Sequence, residues 1–260
     1  MSERYDFYSD EQSSNNGYAD LSLEEVKTSF IKSYLWMFAG ALITFIMGIL
    51  FSNVFINFLN NESEEGIALF MTIFFASFIA EMILSFVINK NAMVKLNYRK
   101  SLIGFIVYSV LNGITFSVLF AFFDVSILYQ VFGVVAVYYL VLTGVSFLFR
   151  RTIHKLSSFA WIGLITLLIV SILVSIYAMI FYAANETVTA MLYLGVSIFG
   201  LIVFTILTLV DIRSMKMIIE GSRDRRCASI AAAFTLYLDF INIFMYILRI
   251  IMILGRNSRK

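Results

Sequence analysis

Long apolar runs separated by short polar links occupy the chain from about residue 33 onward. An α-helix needs about 20 consecutive apolar residues to cross the roughly 30 Å hydrocarbon core of a bilayer. Each run is about that long or longer, so the pattern predicts an all-α integral membrane protein with seven transmembrane helices. The predicted spans are 33–59, 67–89, 101–123, 129–149, 157–184, 187–210 and 229–250.

The polar segments at the two ends of the chain predict a division into three parts. Residues 1–32 carry seven carboxylates, and we expect them to form a disordered, cytoplasmic N-terminal tail. Residues 33–255 form the membrane domain, and residues 256–260 form a basic C-terminal tail. Composition agrees with a membrane protein, because 61% of the residues are hydrophobic, against about 45–50% apolar residues in soluble domains.

Basic residues are distributed unevenly among the six links between the predicted spans. Three alternate links hold twelve Lys and Arg residues together, and the other three hold none. Basic links accumulate on the cytoplasmic side of a membrane, so the sequence predicts that these links and the N-terminus are cytoplasmic. A seventh crossing would place the basic tail outside. Either the last segment crosses against the charge rule, or it re-enters and returns; its length of about 20 apolar residues favours crossing.

Three carboxylates interrupt the apolar runs, and ionisable residues inside a membrane are functional-site candidates. Glu81 and Asp239 lie well inside their spans, and Asp211 closes the apolar part of span six. Helical character continues after Asp211 up to Gly221, a predicted helix end. At 1.5 Å per residue, all three acids lie roughly 13–15 Å from the basic ends of their helices.

Polar residues also recur on single faces of four predicted helices. We expect these faces to point at a common interior, because lipid cannot satisfy polar groups. The last helix is polar along its whole length and is the best candidate for the centre. Its polar positions are Thr235, Asp239, Asn242, Tyr246 and Arg249, and the other faces comprise Ser77, Glu81, Ser85 and Asn89; Tyr108, Asn112 and Thr115; and Thr205, Thr208 and Asp211.

Structural roles are the main alternative for these positions. Ser, Thr and Asn in membrane helices often serve only to hydrogen-bond neighbouring helices, and a buried carboxylate can be the ion-pair partner of an arginine. Three acids at one depth favour a shared site. Catalysis is not expected: the single histidine, His154, lies in a basic link, and the last span contains no lysine for a Schiff base.

Three segments resemble the Bax-inhibitor family, also called the transmembrane Bax inhibitor motif-containing family, in a bacterial-type member. They are "LYLDFINIFMYILRI" (236–250), "LNGITFS" (111–117) and "YLWMFAGALITF" (34–45). The resemblance covers about residues 30–255. It implies seven helices, six of them wrapped around the C-terminal one, and a pH-sensitive calcium leak channel.

By the same resemblance, Asp211 and Asp239 form an intramembrane pair that senses pH and gates the leak. Glu81 matches the acid on helix two, and the predicted ion pathway comprises Glu81, Asn112, Thr235, Asn242 and Tyr246. Lys90, Arg213 and Arg249 are the candidate charge partners of the pair. Asp211, Asp239 and Glu81 are the candidate transient calcium ligands, since Ca²⁺ prefers hard oxygen ligands.

Two other functions remain open from the sequence. One is a non-conducting regulator of a membrane protease or a cell-death or stress partner, and the other is a proton-coupled transporter. No cofactor is expected beyond Ca²⁺ as the permeant ion. The expected partners are the lipid bilayer, Ca²⁺, protons and membrane proteins, with no nucleic acid. The expected location is a bacterial inner membrane, with a eukaryotic internal membrane as the alternative.

Overall fold

A computed structural model describes residues 3–148, 153–181 and 185–257 of the chain. Its elements follow one another as seven α-helices with a single π-helical turn after the second. The helices are α1 (Glu3–Asn60), α2 (Glu64–Asn89), α3 (Tyr98–Phe120), α4 (Val125–Leu148), α5 (Ile153–Phe181), α6 (Glu186–Gly221) and α7 (Arg225–Asn257), and the π-helical turn is Lys90–Val94.

All seven helices contain a stretch that is long and apolar enough to cross a membrane, which confirms the predicted number of spans. The predicted continuation of the sixth helix to Gly221 is also confirmed. Helix α1 passes through residue 33 without interruption, so the boundary predicted there between tail and membrane domain does not coincide with the start of a helix. The disorder of residues 1–32 and their side of the membrane stay predictions.

Short polar caps define where the helices begin. The Ser63 side chain accepts a hydrogen bond from the backbone N–H of Gly66 at the start of α2, and Asn97 accepts one from Lys100 at the start of α3. Asp224 precedes α7 and accepts hydrogen bonds from the backbone N–H groups of Arg226 and Cys227. These side chains satisfy donors that the first turn of a helix leaves unpaired.

Close packing of α1 against α3 depends on glycine. A Cβ atom added to Gly113 would lie 2.6 Å from the Met47 Cβ and 2.8 Å from the Thr44 carbonyl oxygen. A Cβ on Gly48 would lie 2.7 Å from the Phe120 ring. Small residues allow backbones to approach closely where van der Waals packing drives helix association in lipid.

Helix α7 is the most deeply buried part of the molecule, and Tyr237, Phe234 and Phe240 have no exposed surface. It packs directly against α1, α3, α4, α6 and the π-helical turn. Helix α2 packs mainly on α3, and α5 packs mainly on α6. The arrangement of six helices around a central seventh therefore stays a prediction, while the burial of α7 agrees with its expected position.

Candidate functional site

The polar groups that the sequence singled out lie on two faces of α7. Asp239 and Tyr237 are two residues apart, which separates them by about 200° around a helix with 3.6 residues per turn. Both side chains are buried, with 5% of Asp239 and none of Tyr237 exposed. Each lies at the centre of a different polar cluster, so α7 stands between the two clusters.

The first cluster, called here the aspartate pair, joins α6 to α7. The carboxyl groups of Asp211 and Asp239 lie close enough to interact, and Thr208 lies beside Asp239. Two carboxyl groups can share a hydrogen bond only if one of them carries a proton. The buried Oδ2 atom of Asp239 has no hydrogen-bond partner among the described residues. A proton on either carboxyl group would allow a hydrogen bond between the two.

The second cluster, called here the Glu81 network, joins α2 to α3. Asn112 donates a hydrogen bond from Nδ2 to the Glu81 Oε2 atom at 3.0 Å, and Thr115 donates from Oγ1 to Oε1 at 2.6 Å. Only 6% of Glu81 is exposed. Both carboxylate oxygens thus receive donors from neutral side chains, which offsets part of the cost of burying a charge.

The same network continues from Asn112 to α7 and α1. Tyr237 donates a hydrogen bond from its hydroxyl to the Asn112 Oδ1 atom at 3.1 Å. The Tyr237 hydroxyl also lies 2.7 Å from the Thr44 Oγ1 atom, which contacts the Ser109 carbonyl oxygen at 2.9 Å. A continuous chain of hydrogen bonds therefore connects four helices through the interior of the bundle.

The structure separates the three acids into two groups. Asp211 and Asp239 lie together, but Glu81 is bonded to groups on the other side of α7. Among the described residues, no group of three Asp, Glu, His or Cys side chains is placed to hold a metal ion. Helical periodicity separates Glu81 from the pair around α7, and a calcium site shared by all three acids stays a prediction.

The predicted polar face of α7 points at α6, not at an open interior. Tyr246 packs against the Phe204 ring at 5.7 Å between centroids, and the Arg249 guanidinium lies 5.8 Å from the centre of the Tyr193 ring. Two other members of the face, Thr235 and Asn242, donate hydrogen bonds to carbonyl oxygens of α7 itself. The face avoids lipid as expected, through packing and local hydrogen bonds.

The candidate charge partners occupy different positions relative to the aspartate pair. Lys90 is exposed at the end of α2. Arg249 follows Asp239 by ten residues, so the two lie about 15 Å apart along α7. Arg213 is partly buried and follows Asp211 by two residues, which places it about 200° further around α6. Neutral Thr208 lies beside Asp239, and its hydroxyl donates a hydrogen bond to the Phe204 carbonyl oxygen.

Tyr237 and Thr44 are members of the Glu81 network that the polar periodicity did not indicate. Tyr237 lies between Leu236 and Leu238 on the side of α7 away from the polar face. One signal was present in the sequence: a buried tyrosine hydroxyl usually has a hydrogen-bond partner. That signal predicts a partner for Tyr237 without identifying it.

Comparisons with known proteins cover nearly the whole membrane domain. The family model described as "Inhibitor of apoptosis-promoting Bax1" matches residues 26–258. An uncharacterized protein of Deinococcus radiodurans is 27% identical over 237 residues, covering 88% of this chain and 92% of the relative. The inner membrane protein YbhL of Escherichia coli K12 is 28% identical over 233 residues, covering 86% and 91% respectively.

Proposed function

The chain belongs to the Bax-inhibitor family that this model describes, and on that premise we propose that it is a pH-sensitive calcium leak channel gated by Asp211 and Asp239. The observation that carries the proposal is the closeness of these two carboxyl groups on α6 and α7. Asp239 is buried and Asp211 is partly buried.

Electrostatics provides the switch. Two carboxyl groups in contact at low dielectric cannot both ionise cheaply, so they titrate as one coupled unit. With one proton shared, the pair holds α6 and α7 together. When the second proton leaves, two like charges face each other, and their repulsion favours separation of the helices. Rising pH therefore favours the open arrangement, which makes the pair a two-state element biased by protons.

Calcium enters this scheme as the permeant ion. Carboxylate oxygens are its preferred ligands, and two ionised aspartates form a weak, incomplete set compared with the six to eight oxygens of a tight site. Weak binding suits conduction, because an ion that binds tightly does not leave. Glu81 then belongs to a separate polar region of the bundle and does not complete the ligand set.

The chain in a bacterial inner membrane would have its basic links in the cytoplasm, and the relative from E. coli is itself named an inner membrane protein. A leak that opens as pH rises would then respond to the cytoplasmic or the external pH according to which side reaches the pair.

Purified protein in liposomes loaded with a calcium dye, assayed from about pH 5 to pH 8, tests the proposal. We expect the wild type to show flux that increases with pH. Asp211→Asn and Asp239→Asn should each flatten that dependence, because one titrating group no longer interacts with the other. The double variant should add little, since members of a coupled unit are non-additive.

Glu220→Gln is the matched control, because it removes an acid from the exposed end of α6, where Glu220 pairs with Lys216. Its pH profile should match the wild type. A wild-type profile in both aspartate variants would contradict the gating role. Absence of calcium flux in folded wild-type protein would contradict conduction and favour a non-conducting regulator of membrane partners.

A further inference from the structure

We propose that a groove at the basic end of the bundle binds the phosphate headgroup of an anionic phospholipid. The groove lies between α1, α3 and α7 and has a volume of about 440 Å³. Lys32 and Arg226 provide its cations, and Leu35, Trp36 and Tyr98 provide its apolar wall. This site is separate from the aspartate pair and does not depend on the proposed channel activity.

The groove has the two-part chemistry of a phospholipid. Its cationic end continues into a polar cleft of about 780 Å³, with which it shares Lys32 and Arg226. Its other end is apolar, and 63% of Leu35 is exposed there. Trp and Tyr favour the membrane interface, where one part of the ring is apolar and another is wet. A headgroup at the cations would leave its acyl chains along the apolar wall.

Arg226 is held in position by two contacts. Its Nε atom lies 3.6 Å from the Asp224 Oδ1 atom, and its guanidinium lies 5.9 Å from the centre of the Tyr98 ring. Burial alone would raise the pKa of Asp224, but hydrogen bonds from the backbone of Cys227 and Arg226 outweigh it and lower that pKa. Asp224 therefore remains an anion at neutral pH and orients Arg226, while 74% of the arginine side chain stays exposed.

Charge complementarity identifies an anionic lipid as the occupant. In the polar cleft, Arg225 is already paired with Glu25, whereas Lys32 and Arg226 border the apolar groove. The cytoplasmic leaflet is rich in anionic lipids, and basic pockets between helices on that side bind their headgroups. A free phosphate would use the same cations but not the apolar wall, so the two sources can be separated.

The two tryptophans of the chain allow a direct measurement in the full-length protein. Trp161→Phe leaves Trp36 as the reporter at the groove, and Trp36→Phe leaves Trp161, which is 60% exposed on α5. The probes are bilayers containing brominated phosphatidylglycerol or brominated phosphatidylcholine, whose bromines quench nearby tryptophans. We expect Trp36 to be quenched more strongly by the phosphatidylglycerol, and Trp161 to be quenched equally by both lipids.

Charge variants provide the second part of the test. Lys32→Gln with Arg226→Gln should abolish the lipid preference at Trp36, with an affinity loss of about fivefold for each charge removed. Lys90→Gln with Lys95→Gln removes two exposed charges from the same end of the bundle, and it should leave the preference intact. Equal quenching of Trp36 by both lipids in the wild type, or an equal loss in both double variants, would overturn the site.

Competition with inorganic phosphate distinguishes a lipid headgroup from a free phosphate ion as the occupant of the groove. Added at millimolar concentration, it should leave the quenching of Trp36 by brominated phosphatidylglycerol unchanged if the apolar wall contributes to binding. Full displacement by inorganic phosphate would overturn the lipid assignment in favour of a free anion. Each charge variant is also compared with the wild type by thermal unfolding in phosphatidylcholine, so that a loss of preference is read only from folded protein.

Discussion

At the residue scale, Tyr237 connects the Glu81 network to the helix that carries Asp239. Its hydroxyl donates to the Asn112 Oδ1 atom and contacts the Thr44 Oγ1 atom. Asn112 in turn donates to Glu81. A buried acceptor that loses its donor keeps the cost of desolvation, so one hydroxyl group helps satisfy polar atoms on two other helices, α3 and α1.

Tyr237→Phe should therefore lower the free energy of unfolding by about 1 kcal/mol, within the range for buried and intramembrane hydrogen bonds. The ring is retained, so packing against Phe105 is preserved. Tyr129→Phe is the matched control, because Tyr129 is 60% exposed and its ring contact with Phe45 is also kept. Denaturant titration in mixed micelles gives both values, and equal losses would contradict the network.

Glu81→Gln tests whether the Glu81 network acts separately from the aspartate pair. A glutamine offers one acceptor oxygen where the carboxylate offers two, so Asn112 and Thr115 compete for it. We expect this variant and Tyr237→Phe to be non-additive in stability, while the pH profile of calcium flux keeps its shape. Loss of the pH response in Glu81→Gln would place Glu81 in the sensor.

At the element scale, the closeness of α1 and α3 determines whether Thr44 reaches Tyr237. Gly113 faces the Thr44 carbonyl oxygen across this contact. The backbone atoms there cannot move aside as a flexible side chain can. The position of the Glu81 network thus depends on the contact between α1, which carries Thr44, and α3, which carries Asn112 and Thr115.

Gly113→Ala should destabilise the protein by about 1–3 kcal/mol, the usual range for overpacking. Gly133→Ala on α4 is the control, because a Cβ added there meets nothing within 4 Å. The control should change the free energy of unfolding by no more than about 0.5 kcal/mol. Unfolding measured under the same micelle conditions compares the two, and a neutral Gly113→Ala would show that the helices separate at little cost.

At the scale of the whole molecule, the partition of basic residues between alternate links predicts the orientation in the membrane. Helix α7 is one uninterrupted helix over Arg225–Asn257, which supports a crossing over a re-entrant last segment. Thiol labelling can test this orientation if the labelled positions are exposed. Asn61 in the first link and Lys95 in the second are exposed, whereas Ser101 at the start of α3 is fully buried and would report burial as well as sidedness.

Single cysteines in a Cys227→Ala background should separate the two sides of the membrane. Asn61→Cys should react with an impermeant thiol reagent in intact cells, and Lys95→Cys should react only after permeabilisation. Ser258→Cys, at a position outside the described residues, should react from outside if α7 crosses. The native Cys227 is buried, so we expect wild-type protein to react little with the reagent and to define the background level of labelling. The reverse pattern at positions 61 and 95 would contradict the orientation.

The amino-acid sequence by itself determined the number of spans. The length of an apolar run is a local property of the sequence, and it can be compared directly with the thickness of the hydrocarbon core. The sequence also determined that α6 continues past Asp211 to Gly221, since the polar end of that helix keeps helical character. Periodicity correctly assigned Asp239, Tyr246 and Arg249 to one face of α7, which faces α6 in the structure.

Only the tertiary structure decided which helix lies opposite each polar face. Periodicity places residues around one helix axis, but it contains no information about the neighbour that a face meets. The sequence predicts similar depths for Glu81 and Asp239, yet Glu81 bonds to Asn112 on α3 while Asp239 lies beside Asp211 on α6. That separation arises because α7 lies between them, with Tyr237 and Asp239 on opposite sides of its axis.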